Sequence, residues 1–164
     1  MSIRNAKSED LSKISEIHIS GWRFAYKGIL ADEYLYNQDF SNDAYILYNR
    51  ILESPHPKLE IFDDGTIKGF IVHNTRDLKT EHYYEISSLY VEPEFLRQGI
   101  GSSLLRNAET YARSCGENVI KIWCMEKNEL GLDFYYRHGY IFDGEKIKDG
   151  RLQTAVMRLK KDCQ

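Results

Sequence analysis

Residues 89–105 of the chain read LYVEPEFLRQGIGSSLL, an order of residue types suited to holding a phosphate group. Pro93 stops an apolar run, and Gly99-Ile100-Gly101 then opens a helical pattern. Glycines let a backbone approach a ligand closely. The first amides of a helix have no partners within it and point outward beside the positive end of its dipole, which makes a pyrophosphate cradle. Arg97 adds charge there and Ser102 a hydroxyl. Two glycines at this spacing also make an ordinary tight turn, so spacing alone leaves both readings open. Two other phosphate motifs are excluded: Leu104 stands where a dinucleotide fingerprint needs its third glycine, and there is no Gly-Lys-Ser/Thr.

A second segment, Asn128-Glu-Leu-Gly-Leu-Asp-Phe134-Tyr135-Tyr-Arg-His-Gly139-Tyr140, lies downstream. Together the two segments resemble the GNAT superfamily of N-acetyltransferases. That family ends a strand in V-x-P-x, follows it with Q/R-x-x-G-x-G/A, and later carries N-x5-F-Y-x3-G-F/Y. Here the six central positions are Leu96-Arg97-Gln98-Gly99-Ile100-Gly101. Leu96 departs from the consensus, which removes a side-chain contact at that position and leaves a backbone cradle untouched. An Ile3-Arg4 strand, a Glu9-Asp10-Leu11 helix start and Trp22-x3-Tyr26 are of the same kind, so the resemblance spans nearly the whole chain.

The resemblance implies acetyl-coenzyme A as acetyl donor, no metal, and direct attack by an amine in a ternary complex. A primary amine of pKa about 10.4 is neutral in roughly one molecule in 2,500 at pH 7, so it must lose a proton before attack. The thioester oxygen gains charge and needs a donor, and a thiolate must leave. Tyr135 matches the family's general-acid tyrosine. Glu85, fourteen positions before Gly99, has a spacing similar to that of a base glutamate in one branch of the family. Glu81, His82, His73, Tyr83 or a water chain are alternatives for the base. The resemblance further makes Leu89, Tyr90 and Val91 backbone partners of pantetheine, with the Val91 amide an oxyanion donor. Arg97, Gln98, Gly99, Ile100, Gly101 and Ser102 surround the pyrophosphate. Asn128 contacts the cofactor, caps the helix after it, or does both. Trp22 and Tyr26 are candidates for the acceptor pocket, since aromatic faces hold cationic amines; aromatic residues at helical spacing also simply build a core. The expected acceptor is a small amine, with a protein amino group or a non-catalytic acyl-coenzyme A sensor as the other readings.

The elements that would position these residues follow from periodicity. After a short strand, Leu11, Ile14 and Ile17 predict a helix to about residue 20, capped from Ser8-Glu9-Asp10. A second helical region spans 32–53, broken near 41–42. Residues 58–62 and 67–73 form a hairpin around Asp63-Asp64-Gly65. A polar loop covers 75–81, and a third strand 84–91. A helix over 99–114 puts Leu104, Leu105, Ala108, Tyr111 and Ala112 on one face. Then follow a strand at 119–125, a helix at 129–137 and strands at 140–142 and 154–159. The strand–glycine loop–helix–strand unit implies a parallel crossover and the hairpins antiparallel pairing. The expected fold is an α/β GNAT fold, a mixed, mostly antiparallel sheet splayed around acetyl-coenzyme A with helices on both faces, in one domain over 1–164.

Bulk properties agree. With 164 residues, 42% of them hydrophobic, the chain can bury roughly 70% of its unfolded surface in one core. A net charge of −3 lacks the basic excess of a nucleic-acid binder. Cys115, Cys124 and Cys163 have no metal-ligand spacing, and unpaired thiols suit a reducing compartment. No apolar run of membrane-spanning or signal-peptide length appears, so the expected location is cytoplasmic. The resemblance also implies a homodimer.

Overall fold

The computed structural model describes residues 2–36, 39–149 and 154–163. Seven strands lie in one sheet: β1 (Ser2–Asn5), β2 (Lys58–Asp63), β3 (Ile67–Leu78), β4 (Glu81–Val91), β5 (Val119–Met125), β6 (Ile141–Asp149) and β7 (Thr154–Asp162), in the order β1-β2-β3-β4-β5-β7-β6. Every neighbouring pair is antiparallel except β4 and β5, joined by the crossover helix α4 (Ile100–Ser114). The other helices are α1 (Leu11–Tyr26), α2 (Asp32–Leu35), α3 (Phe40–Glu53) and α5 (Glu129–Arg137).

Helical periodicity decides which face each helix buries. Leu11, Ile14 and Ile17 of α1, with Ala44 and Tyr48 of α3, pack on Leu59, Ile61, Phe70 and Val72. On the opposite face α4 buries Ile100, Leu104, Leu105, Ala108 and Ala112 against Ile71, Ile86, Ile120, Ile122 and Leu159. Each large apolar side chain buried this way contributes about 1.5–3 kcal/mol. Tyr111 lies at the margin of that face, half-exposed and edge-on to His73. α1 reaches the open part of the sheet because Gly21 lets it approach β4; a Cβ there would stand 2.9 Å from the Tyr90 ring.

Several boundaries differ from the sequence expectation. α1 continues past residue 20 to Tyr26, because Gly21 is a packing position rather than a stop. The second helical region is interrupted after Leu35, ahead of Phe40, rather than at 41–42. The polar stretch 75–81 is not a loop: β3 and β4 stay paired out to Leu78 and Glu81. Polarity there means that both faces of the hairpin meet water or charge. β6 runs to Asp149, well past 142, for the same reason.

Candidate active site

The functional cleft originates in a defect of the sheet. Val72 of β3 faces Ser88, but His73 faces Ile86, so Ser87 is an extra residue in β4. Such a bulge bends its strand. It also switches side-chain parity: Leu89 and Val91 pack with the α4 side, whereas Tyr90 packs with the α1–α3 side. β4 and β5 pair only at Tyr84–Ile120, Glu85–Lys121 and Ile86–Ile122, and beyond the bulge they part. The Glu92 amide donates to the Lys68 carbonyl at 2.9 Å. Antiparallel alternation then turns the amides of Leu89 and Val91 to the other edge, where β5 has left. A cleft of about 930 Å3 opens there, with Ser88, Leu89, Tyr90 and Val91 on one wall and Trp123 and Cys124 on the other.

One end of the cleft is the glycine loop. Arg97 and Gly99 both have left-handed backbones, with φ of 62° and 82°. Closely spaced left-handed residues turn successive N–H groups into a concavity that attracts anions. Gly99 caps α4, and its carbonyl accepts from the Ser103 amide at 2.9 Å. A Cβ at Gly99 would meet nothing within 4 Å, so the space in front of it is open; at Gly101 it would touch Phe134 at 3.5 Å. Arg97, Gly99, Gly101 and Ser102 line the cleft. Gln98 and Ile100 do not: the Gln98 amide reaches back to the Glu94 carbonyl at 3.3 Å, and Ile100 is buried in the core. Their share in an anion site is limited to backbone. Open space, outward amides and an adjacent guanidinium fit a pyrophosphate such as that of coenzyme A.

The facing wall comes from α5. Asn128 Oδ1 accepts from the Gly131 amide at 3.0 Å, capping the helix. Gly131 is required by closeness, since a Cβ would stand 2.7 Å from Asn128 Nδ2 and 3.2 Å from Cys124 Sγ. Tyr135 faces the same cleft, and burial, with Cys124 and Tyr26 nearby, pushes its phenol well above the ordinary value. Burial pushes the Cys124 thiol up to about 12, which keeps it protonated and inert. Tyr26 lines the cleft and is raised to about 12, again mainly by burial.

Two expected residues lie elsewhere. Glu85 sits in the short paired part of β4, opposite Lys121, where its carboxylate is held by Arg76 and does not line the cleft. Its spacing to Gly99 spans the bulge, which flips side-chain parity between them. Trp22 stacks on Phe40 at 4.6 Å and meets Tyr26 edge-on at 5.4 Å, in a cluster with Leu30, Leu35 and Met125. It therefore packs, partly buried, into the α1–α2 corner and does not line the cleft. Sequence reasoning missed Phe24, Gly131 and His138, which all line the cleft. For His138 a signal existed: it follows Phe134 by four residues, one helical turn, just before the terminating Gly139.

This arrangement, a mixed sheet splayed at a β4 bulge with an anion cradle at the head of the crossover helix, defines an acetyltransferase fold. The sequence profile of the acetyltransferase (GNAT) family matches residues 17–140, and the chain belongs to that family. It is an N-acetyltransferase by its relatives. It is 30% identical, over 96% of both chains, to a spermidine N(1)-acetyltransferase of Thermoplasma acidophilum. It is 25% identical to the uncharacterized N-acetyltransferase YuaI of Bacillus subtilis, over 98% of this chain and 89% of that one. Among solved structures, the PaiA N-acetyltransferase of T. acidophilum in complex with coenzyme A superposes with a TM-score of 0.78 at 24% identity, over 98% of both chains.

Proposed function

We propose that the chain moves an acetyl group from acetyl-coenzyme A to a primary amine of a small molecule, by direct attack of the amine within a ternary complex. The observation that carries this reading is the parting of β4 from β5 beside the Arg97–Gly99 cradle, which leaves the Leu89 and Val91 amides facing an open cleft. The bound donor supplies an activated thioester; the rest is done by this chain. The cradle amides, with Arg97 and Ser102, hold the pyrophosphate. The Val91 amide donates to the oxygen on which charge develops as the amine attacks.

Tyr135 donates to the departing sulfur. Burial keeps its phenol protonated, so the hydrogen is always present to give. Full transfer to a thiolate of ordinary pKa about 8.5 is uphill from such a phenol, so the help is modest, on the order of 10- to 100-fold. The ammonium's proton leaves through water in the open cleft, since Glu85 is tied to Arg76 outside it. The acceptor enters past Phe24 and Tyr26, whose aromatic rings suit a cation. The spermidine acetyltransferase among the relatives makes polyamines the first acceptors to try.

Thiol release from acetyl-coenzyme A, measured against polyamines, amino acids, aminoglycosides and a lysine peptide, tests the reading. Turnover of polyamines above the other classes is expected, reduced in Tyr135→Phe. Coenzyme A binding with no turnover of any amine would make the chain an acyl-coenzyme A sensor instead.

A further inference from the structure

His138 stands at the phosphate end of the cleft, and its hydrogen bonds are dictated by chemistry. Its Nδ1 lies 2.7 Å from the carbonyl oxygen of Phe134. A carbonyl only accepts, so Nδ1 carries a hydrogen. In the neutral ring Nε2 is then a lone pair, and it lies 3.0 Å from Ser102 Oγ. The single hydroxyl hydrogen of Ser102 is therefore given to His138. Ser102 belongs to the first turn of α4 and lines the cradle. In this state it offers an anion nothing but lone pairs.

Protonation reverses the arrangement. Nε2–H then donates to Ser102 Oγ, and the hydroxyl hydrogen is free to turn into the cradle. The charged groups sharing this wall are Arg97 ahead of α4 and the Asp133–Arg137 pair on α5. Arg137 is balanced by Asp133, whereas Arg97, lining the same cleft, opposes a second cation there. A pyrophosphate cancels that opposition and rewards the charge on the imidazole. Imidazole is the side chain suited to such a change near neutrality.

We infer that a pyrophosphate-bearing ligand is bound with uptake of a proton at His138, relayed to the anion as a hydrogen bond from Ser102. The inference rests on the reading of the Arg97–Gly99 cradle as the seat of coenzyme A's pyrophosphate. It makes His138 a positioning residue for the donor, and makes donor affinity depend on pH independently of the acceptor's own ionisation.

Dephospho-coenzyme A is the suitable probe, because it keeps the pyrophosphate but lacks the phosphomonoester that itself titrates near pH 6. Calorimetric titrations at pH 6, 7 and 8, each in two buffers of different ionisation enthalpy, count the protons exchanged. The expected result is net proton uptake on binding, of at most one proton per ligand, and a Kd that tightens as pH falls from 8, by at most tenfold per pH unit. His138→Gln should still bind, with a flat profile and no uptake. Wild-type binding with no uptake and an unchanged Kd would overturn the inference while leaving the cofactor reading intact. Uptake that persists in His138→Gln would overturn it too. Failure of both coenzyme A and dephospho-coenzyme A to bind at any of the three pH values would overturn the cofactor reading itself.

Discussion

Two side chains nominated for catalysis, Tyr135 by a motif and Glu85 by spacing, are separated by their surroundings. Tyr135 sits in the cleft with its phenol held protonated by burial, while Glu85 sits outside it, neutralised by Arg76. Tyr135→Phe keeps the ring and its edge contact with Phe134, at 5.3 Å between centroids, and removes only the hydrogen. Its kcat should fall about 10- to 100-fold with little change in coenzyme A affinity, as read by steady-state thiol release alongside calorimetry. Glu85→Gln should lower kcat/KM by less than about threefold at neutral pH. A loss of a hundredfold or more there would restore Glu85 as the base and would require Arg76 to release it during turnover.

At the scale of elements, the catalytic geometry comes from one inserted residue and two left-handed ones. The loop was legible because glycine spacing, Pro93 and the start of an amphipathic helix are local signals. α4, β5 and α5 were legible for the same reason, their periodicity being uninterrupted. The bulge was not. Ser87-Ser88 looks like any polar pair in a strand, and only the pairing with β3 reveals that one of them is extra. Without the bulge, neither the parting of β4 from β5 nor the position of Glu85 could be read. The outer end of the β3–β4 hairpin was missed because strand signals rest on a buried face, and its residues there, Thr75–Leu78 paired with Glu81–Tyr84, are largely exposed on the β3 side and carry charge. The two glycines of the loop make a paired prediction. Gly99→Ala forces a left-handed φ of 82° on a residue with a Cβ, a strain of about 1–2 kcal/mol. It should lower the melting temperature by roughly 2–8 °C and weaken coenzyme A binding. Gly101→Ala meets only ordinary contacts, the nearest at 3.5 Å, and gains helix propensity of about 1 kcal/mol, so thermal melts should show no loss of stability.

For the whole molecule, acid stability is set where α1 and α3 clamp the sheet. His18 stacks on Tyr90 at 4.7 Å and shares a hydrogen bond with the Tyr48 hydroxyl through Nδ1 at 2.6 Å. Among the described residues the rings packed on it are Tyr48, Tyr90 and Phe40. Burial accordingly lowers its pKa from 6.5 to about 4. Above pH 6.5 the imidazole is neutral whether the chain is folded or not, and stability is unaffected. Between 6.5 and 4 only the unfolded chain binds the proton, so stability is lost as pH falls, by about 3 kcal/mol in all. For a chain of this length that is a fall of roughly 6–12 °C in melting temperature. Asp10 adds a later loss. Its carboxylate is held below the ordinary 3.8 by Arg4, which bonds it at 2.8 and 3.0 Å and also bonds Asp63. That pairing is kept above pH 3.8 and lost only as pH falls through the lowered value. The two losses are separable. His18→Gln leaves an acceptor for Tyr48 but no proton site, so its melting temperature should stay nearly level from pH 6.5 to 4.5 while the wild type declines. Parallel slopes for the two proteins across that range would mean that His18 titrates alike in both states and that the α1–α3 clamp is not what acid loosens.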